Sequence, residues 1–443
     1  MTKSSLAVAI EALSWMAYSG IGERTALFKA AEEIGVEAAD ELRQAHRLIM
    51  ETTRYQNRLE HIVRRVLNER DIQRTPHGIS SFLKILAYLT YIVGAPERQI
   101  ELSVKWARYV LGWKELHIYE KSIALIASGT LAIDTKRLNE LEQLSLETCH
   151  PSWFVERSIE VFGRNFALQL LRRNLRPLPN YVRMNSLRVK RKTKDEGIPV
   201  QVPGTPIEQI PNVWRLEAAG KAIARSRSWV EGEIVIQDLA SITAGLVASP
   251  SPGAIVLDLC AAPGNKTSHL ASMMQNKGEI YSVDISSKRL SYWRKEMKRT
   301  GCSIASPICA DAGDMPIEAK ADLVLVDPPC SNTGVLAKNP SIKWRITPTQ
   351  ITEFASRQYA ILQNASEHVD SDGMLVYCTC SVLPEENEEI LHSFLSRNPD
   401  FRLVRQEPFL GLPGLRGFDQ CQRFYPHLHN CNGYFIAKLR RTD

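Results

Sequence analysis

Apolar positions recur along this chain with two different periods, and the change from one to the other divides it. Up to about residue 148 the period is helical. Leu59, Ile62, Val63 and Val66, then Phe82, Ile85, Leu86 and Leu89, mark one face of successive amphipathic helices, with little Pro or Gly between them. Leu6, Ile10, Leu13 and Met16 share that spacing and Glu11 interrupts them, so the first residues read as a helix rather than a signal peptide. From Pro151 two further amphipathic patterns lead into Arg176-Pro177-Leu178-Pro179, where proline removes backbone donors and holds the chain extended. Tyr181 to Leu187 alternates apolar and polar as a short strand does, a basic run follows from Arg188 to Lys194, and Gly and Pro punctuate residues 197–211.

From about Ile234 short apolar runs alternate with helical patterns. Strands are expected at Ala254 to Leu259, Glu279 to Val283, Ala321 to Val326 and Met374 to Tyr377. Helices are expected at Thr267 to Met274, Lys288 to Arg299, Pro348 to His368 and Pro384 to Leu395. This alternation predicts an α/β fold, a doubly wound, mostly parallel Rossmann-like sheet whose ligands bind beyond the carboxyl ends of its strands. Three domains follow: an all-helical one at 1–148, a small basic α+β module at 149–232, and the doubly wound domain at 233–443.

Composition narrows the class. The 443 residues are 44% hydrophobic and 23% charged, which excludes disorder and fibrous repeats. Nine scattered cysteines, an odd number, fit free thiols in a reducing compartment rather than a disulfide framework. The longest apolar stretch, Phe82 to Ala95, contains Lys84 and is too short to cross a bilayer, so a cytoplasmic protein with no membrane partner is expected. The net charge of +6 is uneven. Residues 151–230 hold 15 Lys and Arg against 6 Asp and Glu, a net +9 that leaves −3 for the rest. A basic middle segment of this kind suits a surface facing phosphates.

The candidate chemistry lies at strand ends. The first strand of the doubly wound domain runs into Cys260-Ala261-Ala262-Pro263-Gly264-Asn265-Lys266-Thr267. This loop has too few glycines for a P-loop or a dinucleotide fingerprint. Asp284 closes the second strand and can take both hydroxyls of a ribose; Asp311, ending the third, can accept from an adenine amino group. Together these suit an adenosine ligand without a phosphate chain, such as S-adenosylmethionine. The next strand ends in Asp327-Pro328-Pro329-Cys330-Ser331, and the following one in Tyr377-Cys378-Thr379-Cys380-Ser381. Two thiols on adjoining strand ends beside a cofactor pocket have a chemical use. Carbon 5 of cytosine is a poor nucleophile until a thiolate adds at carbon 6; an acid near ring nitrogen 3, a role open to Asp327, eases that addition, and a second thiolate can serve as the base afterwards. Cys421, His427, His429 and Cys431 have a spacing unlike common zinc sites, and no metal is expected.

Cys260-Ala261-Ala262-Pro263-Gly264-x-Lys266-Thr267, Asp327-x-Pro329-Cys330-Ser331-x-Thr333-Gly334, and Thr379-Cys380-Ser381 with Glu385-Glu386-Asn387 resemble the RsmB/Nop/Sun RNA cytosine-5 methyltransferases. Ile342-Lys343-Trp344-Arg345, Gln237-Asp238 with Ser241, and Arg183-x-Asn185-x-Leu187 fit the same pattern, which spans about Pro151 to Arg440. The resemblance implies Cys380 as nucleophile, Cys330 as the thiol assisting product release, and Asp327 lining both cofactor and base. It implies S-adenosylmethionine contacts at Cys260, Ala261, Ala262, Pro263, Gly264, Asn265, Lys266, Asp284, Asp311 and Asp327. The helical amino-terminal region resembles the NusB-like domain of RsmB enzymes, which points to ribosomal RNA. Asn265 and Asn332 stand where the family carries glycine, and Ala337-Lys338 where two arginines are frequent. The expected function is methylation of cytosine carbon 5 in RNA, ribosomal RNA first, by a monomer. The alternatives are a transfer-RNA methyltransferase of the same chemistry and a non-catalytic RNA-binding ribosome assembly factor.

Overall fold

The computed structural model describes residues 1–67, 69–132, 135, 137–189, 204–216, 223–315 and 319–442. Most of the expected basic run, from Lys190 onward, lies outside them. The chain divides into two compact units, Met1–Arg176 with Leu336–Arg345, and Pro177–Val335 with Ile346–Asp443.

The first unit is helical, as the periodicity predicts. Its first helix, Lys3–Ser19, is started by Thr2, whose hydroxyl accepts from the Ser5 N–H, and is stopped by Gly20 in the left-handed conformation. Leu6, Ile10 and Leu13 are buried against Leu27, Ile49, Phe82 and Leu86 from the helices that follow. The helices Ser152–Phe162 and Arg164–Arg173 pack with Glu140–Thr148, so this unit continues to residue 176 rather than ending at 148.

The segment Leu336–Arg345 joins the helical unit through polar contacts to its backbone. Arg54, 2% exposed, donates to the carbonyls of Asn174 and Ala337, both at 2.9 Å. Lys343 Nζ donates to the Arg54 carbonyl at 2.9 Å and Trp344 Nε1 to the Thr53 carbonyl at 2.7 Å. The Glu23 carboxylate accepts from the N–H and hydroxyl of Ser341 at 2.6 and 2.7 Å. Burial pulls the Lys343 ammonium down to about 7. Lys343 and Trp344, which the resemblance grouped with the catalytic motifs, act here as anchors.

The second unit carries two sheets. The smaller one has strands β1 (Tyr181–Met184), β2 (Gly204–Pro206), β3 (Val213–Leu216) and β4 (Ile234–Ile236), antiparallel in the order β2-β3-β1-β4. The larger has β5 (Ile255–Leu259), β6 (Glu279–Asp284), β7 (Ala305–Cys309), β8 (Ala321–Val326) and β9 (Val369–Thr379), then β10 (Phe401–Leu403), β11 (Leu412–Pro413), β12 (Gln422–Phe424) and β13 (Tyr434–Arg441). Its order is β11-β12-β13-β9-β8-β5-β6-β7, with β10 on β13. The run β9-β8-β5-β6-β7 is parallel, and β13 lies antiparallel on β9.

Buried-on-both-faces strands explain the continuous apolar runs. Leu257, Leu259, Val324, Val326, Leu375 and Tyr377 pack on one face, while Val256, Leu323, Leu325 and Val376 pack on the other, a period of two. Because these strands are parallel, their carboxyl ends share one edge, and the chain reverses its order of strands between β5 and β8. That is the switch point at which such sheets bind ligands. The helices Asn265–Met273, Ser287–Thr300 and Pro348–Glu367 stand within a few residues of expectation. The helix expected from Pro384 is a 3₁₀ turn, Pro384–Glu386, followed by the helix Glu388–Arg397.

Candidate active site

The carboxyl edge of the parallel sheet gathers most of the predicted residues. Cys260 follows β5, Asp284 ends β6, Asp327 follows β8, and Cys380 follows β9. Ser241, Asp258, Cys260, Ala261, Ala262, Pro263, Asn265, Lys266 and Asp327 line a cleft of about 110 Å³. Gly264 caps the helix Asn265–Met273 at φ +106, a conformation side chains rarely adopt, and a Cβ there would meet Met297 Cε at 2.7 Å. Asn265, in the place of a family glycine, is simply the first residue of that helix.

Asp258 was not singled out in the sequence, although a carboxylate inside a buried parallel strand is an unusual choice. Trp293 Nε1 donates to Thr267 Oγ1 at 3.1 Å, and Thr267 donates to Asp258 Oδ2 at 2.6 Å. Asp258 Oδ1 has no hydrogen-bond partner among the described residues. Burial raises this carboxyl to about 7, against the lowering effects of Thr267 and Lys266. A buried acceptor facing a cleft suits an ammonium such as that of a methionine moiety. Asp284, 1% exposed, accepts from the N–H groups of Ala262 at 3.2 Å and Ser286 at 3.0 Å, and pairs with Arg289 at 3.0 Å. Asp311 lies two residues past β7, half exposed and 3.8 Å from Arg357, and does not line the cleft.

Lys266 Nζ meets Asp327 Oδ2 at 2.6 Å. Burial alone would lower this lysine, but Asp327 and Cys378 outweigh it and hold it above its ordinary value. Asp327 Oδ1 accepts from the Tyr434 hydroxyl at 3.3 Å, with the Cys378 thiol 3.7 Å away. Cys378 therefore faces Asp327, and its thiol is pushed up by burial and by that carboxylate.

The two predicted thiols meet. Cys330 Sγ and Cys380 Sγ are 3.1 Å apart, and Cys380 Sγ donates to Asn332 Oδ1 at 2.9 Å. Asn332 Nδ2 donates to the Cys330 carbonyl at 2.8 Å, while its backbone sits at φ +58, a region asparagine tolerates. Cys330, 4% exposed, is held as a thiol: its hydrogen bond with Cys380 and its burial push it well above the ordinary thiol range.

The loops carrying the two sulfurs are tied to each other by Glu386, fully buried, to which the sequence assigned no role. Its Oε1 accepts from the Ser331 N–H at 2.8 Å and Gln358 Nε2 at 2.9 Å. Its Oε2 accepts from the hydroxyls of Ser381, at 2.5 Å, and Ser331. Thr333 completes the join, bonding Ser381 Oγ at 3.0 Å and accepting from the Val382 N–H at 3.1 Å. Gly334 donates to the Cys380 carbonyl at 2.8 Å, and a Cβ on it would stand 2.7 Å from that oxygen. Arg183 and Asn185 serve as struts. Arg183 donates to Gln237 and Ser268, both at 2.8 Å, and burial lowers it to about 9. Asn185 donates to the carbonyls of Gly232 and Thr300, both at 2.8 Å.

A parallel sheet with this cleft at its switch point is the arrangement of an S-adenosylmethionine-dependent methyltransferase. Residues 246–440 match the family described as 16S rRNA methyltransferase RsmB/F. The ribosomal RNA small subunit methyltransferase B of Salmonella agona (strain SL483) is 32% identical over 311 residues, 68% of each chain. The probable ribosomal RNA small subunit methyltransferase B of Bacillus subtilis (strain 168) is 28% identical, over 83% of this chain and 84% of its own. Among solved structures, PH0851 aligns over 100% of this chain and 99% of its own at TM-score 0.83 and 27% identity. A methyltransferase homolog protein from Pyrococcus horikoshii covers 69% of this chain and 100% of its own at TM-score 0.59 and 27% identity. The chain belongs to the RsmB/F methyltransferase family.

Among the described residues no group of His, Cys, Asp and Glu is gathered to hold a metal, and no helix is long and apolar enough to cross a membrane.

Two outcomes are expected. Glu386→Gln puts an amide donor opposite donors, and denaturant unfolding should show a loss of about 2–3 kcal/mol. Asp258 is raised from 3.8 to about 7 in the folded chain. Its contribution to stability is therefore complete below about pH 4 and is lost as pH rises through 7. Unfolding followed between pH 5 and 8 should show that slope, and Asp258→Asn should flatten it.

Proposed function

We propose that this methyltransferase modifies carbon 5 of a cytosine in ribosomal RNA through a temporary bond between Cys380 Sγ and carbon 6 of the ring. The observation that carries the reading is the 3.1 Å approach of Cys330 and Cys380 beside the cleft containing Lys266 and Asp327. A binding module has no use for that pair. The names of the relatives favour ribosomal RNA as substrate.

Cys330 is held as a thiol by its hydrogen bond with Cys380 and by burial, which leaves Cys380 as the sulfur that attacks. Cys330 S–H then donates to the Cys380 thiolate. The target base must leave its stack to reach this sulfur, at a cost of a few kcal/mol unless it lies in a loop. Attack at carbon 6 pushes the ring electrons toward carbon 5 and nitrogen 3. The Lys266–Asp327 pair, in contact at 2.6 Å, places an N–H donor in the cleft for the charge that develops at nitrogen 3. S-adenosylmethionine, when bound, supplies an electrophilic methyl group, which carbon 5 of the enamine can now accept. The carbon-5 proton must then leave so that the Cys380–carbon 6 bond breaks. Cys330, after giving its own proton to solvent, can serve as the base that takes it. We also assign the small sheet and its basic continuation to RNA binding, and the helical unit to a NusB-like role.

Cys380→Ala should reduce methylation about 10⁴-fold or more while cofactor binding, read by calorimetry, stays intact. Retained turnover would move the nucleophile elsewhere. Cys330→Ala should accumulate a protein–RNA adduct that survives a denaturing gel. With labelled cofactor and total RNA, label should appear as 5-methylcytosine in ribosomal RNA; label confined to transfer RNA would reassign the substrate, and no label would favour the assembly factor.

A further inference from the structure

We propose that the helical unit carries a docking surface for single-stranded RNA along the exposed face of the helix Glu97–Leu111, continued by Trp113. Arg98, Leu102, Lys105 and Tyr109 recur at intervals of three and four, which places them in one stripe about 16 Å long. The opposite face buries Ile100, Ser103 and Ala107, so the stripe is the side the core does not use. Gly112, at φ +86, ends the helix, and Trp113 opens the next turn beside the stripe. With Glu101 and Arg108 these residues line an open cavity of about 710 Å³.

Two aromatic rings stand out in water there, Tyr109 70% exposed and Trp113 54% exposed. Each has a cation beside it. Lys3 Nζ is 5.9 Å from the Tyr109 ring centre and the Arg108 guanidinium 5.3 Å from that of Trp113. Lys3, Arg98, Lys105 and Arg108 face Glu101 and Glu120, the last paired with Arg108 at 2.9 Å, so the surface keeps a positive excess. Flat rings flanked by cations suit a chain of bases joined by phosphates: the rings stack on base faces of any sequence and the cations follow the backbone. A duplex hides those faces, and a protein partner would favour a charge-depleted apolar centre. The surface belongs to the helical unit and does not depend on the chemistry assigned to the thiols.

The test uses the full chain and a short single-stranded RNA of adenine and uracil only, so that no target base is offered. Fluorescence anisotropy should show binding weakened about tenfold by Tyr109→Ala and again by Trp113→Ala, with Phe at either position restoring it. Lys105→Glu should weaken binding and flatten its salt dependence. A strand bearing 4-thiouridine should cross-link to the peptide containing Tyr109 or Trp113. Both rings are exposed, so unfolding midpoints should not move. Unchanged affinity in the combined variant, equal loss of duplex binding, or cross-links only outside residues 97–113 would overturn the proposal.

Discussion

The carboxylate of Glu386 locks together the two loops that follow the paired strands β8 and β9. It is fully buried, and its four hydrogen bonds all come from donors on other segments: Ser331 twice, Ser381 and Gln358. A buried carboxylate left unpaired is costly, so each donor must stay in place for the others to hold. Ser331 directly follows Cys330, and Ser381 directly follows Cys380. Holding the two serines on one carboxylate therefore holds the two sulfurs within 3.1 Å. The serines of the two thiol motifs are the handles by which the thiols are positioned.

The rest of the second unit serves the same edge. Parallel strands deliver Cys260, Asp284, Asp327 and Cys380 to one side because every strand from β5 to β9 ends there. The chain leaves this unit after Val335, five residues beyond Cys330, and re-enters it at Ile346. The intervening segment is tied into the helical unit by Arg54, Glu23, Lys343 and Trp344.

Much of this was legible in the residues. The two periods separated helical from α/β sequence, and the strand ends carried the thiols and carboxylates into view. What escaped was tertiary. Glu385 and Glu386 are neighbours of identical chemistry, and only the fold turns the second inward onto Ser331 and Ser381. Asp258 sits in an apolar run where its burial, not its spacing, marks it. The helices after Pro151 carry the same amphipathic pattern whichever unit they join, so their place with the helical unit depends on which surfaces they cover. Asp311 was read onto the end of a strand that stops two residues earlier, and the structure leaves it half exposed beside Arg357. Lys343, read only as part of a segment that fits the family pattern, is a buried donor to a backbone carbonyl.

The account rests on which sulfur bonds to the pyrimidine. An RNA substrate carrying 5-fluorocytosine at the target position cannot lose a proton from carbon 5, so the covalent state persists and can be digested and mapped by mass spectrometry. The account predicts a nucleotide attached to the peptide containing Cys380. A nucleotide attached to Cys330, or no attached nucleotide while methylation of ordinary RNA proceeds, would contradict it.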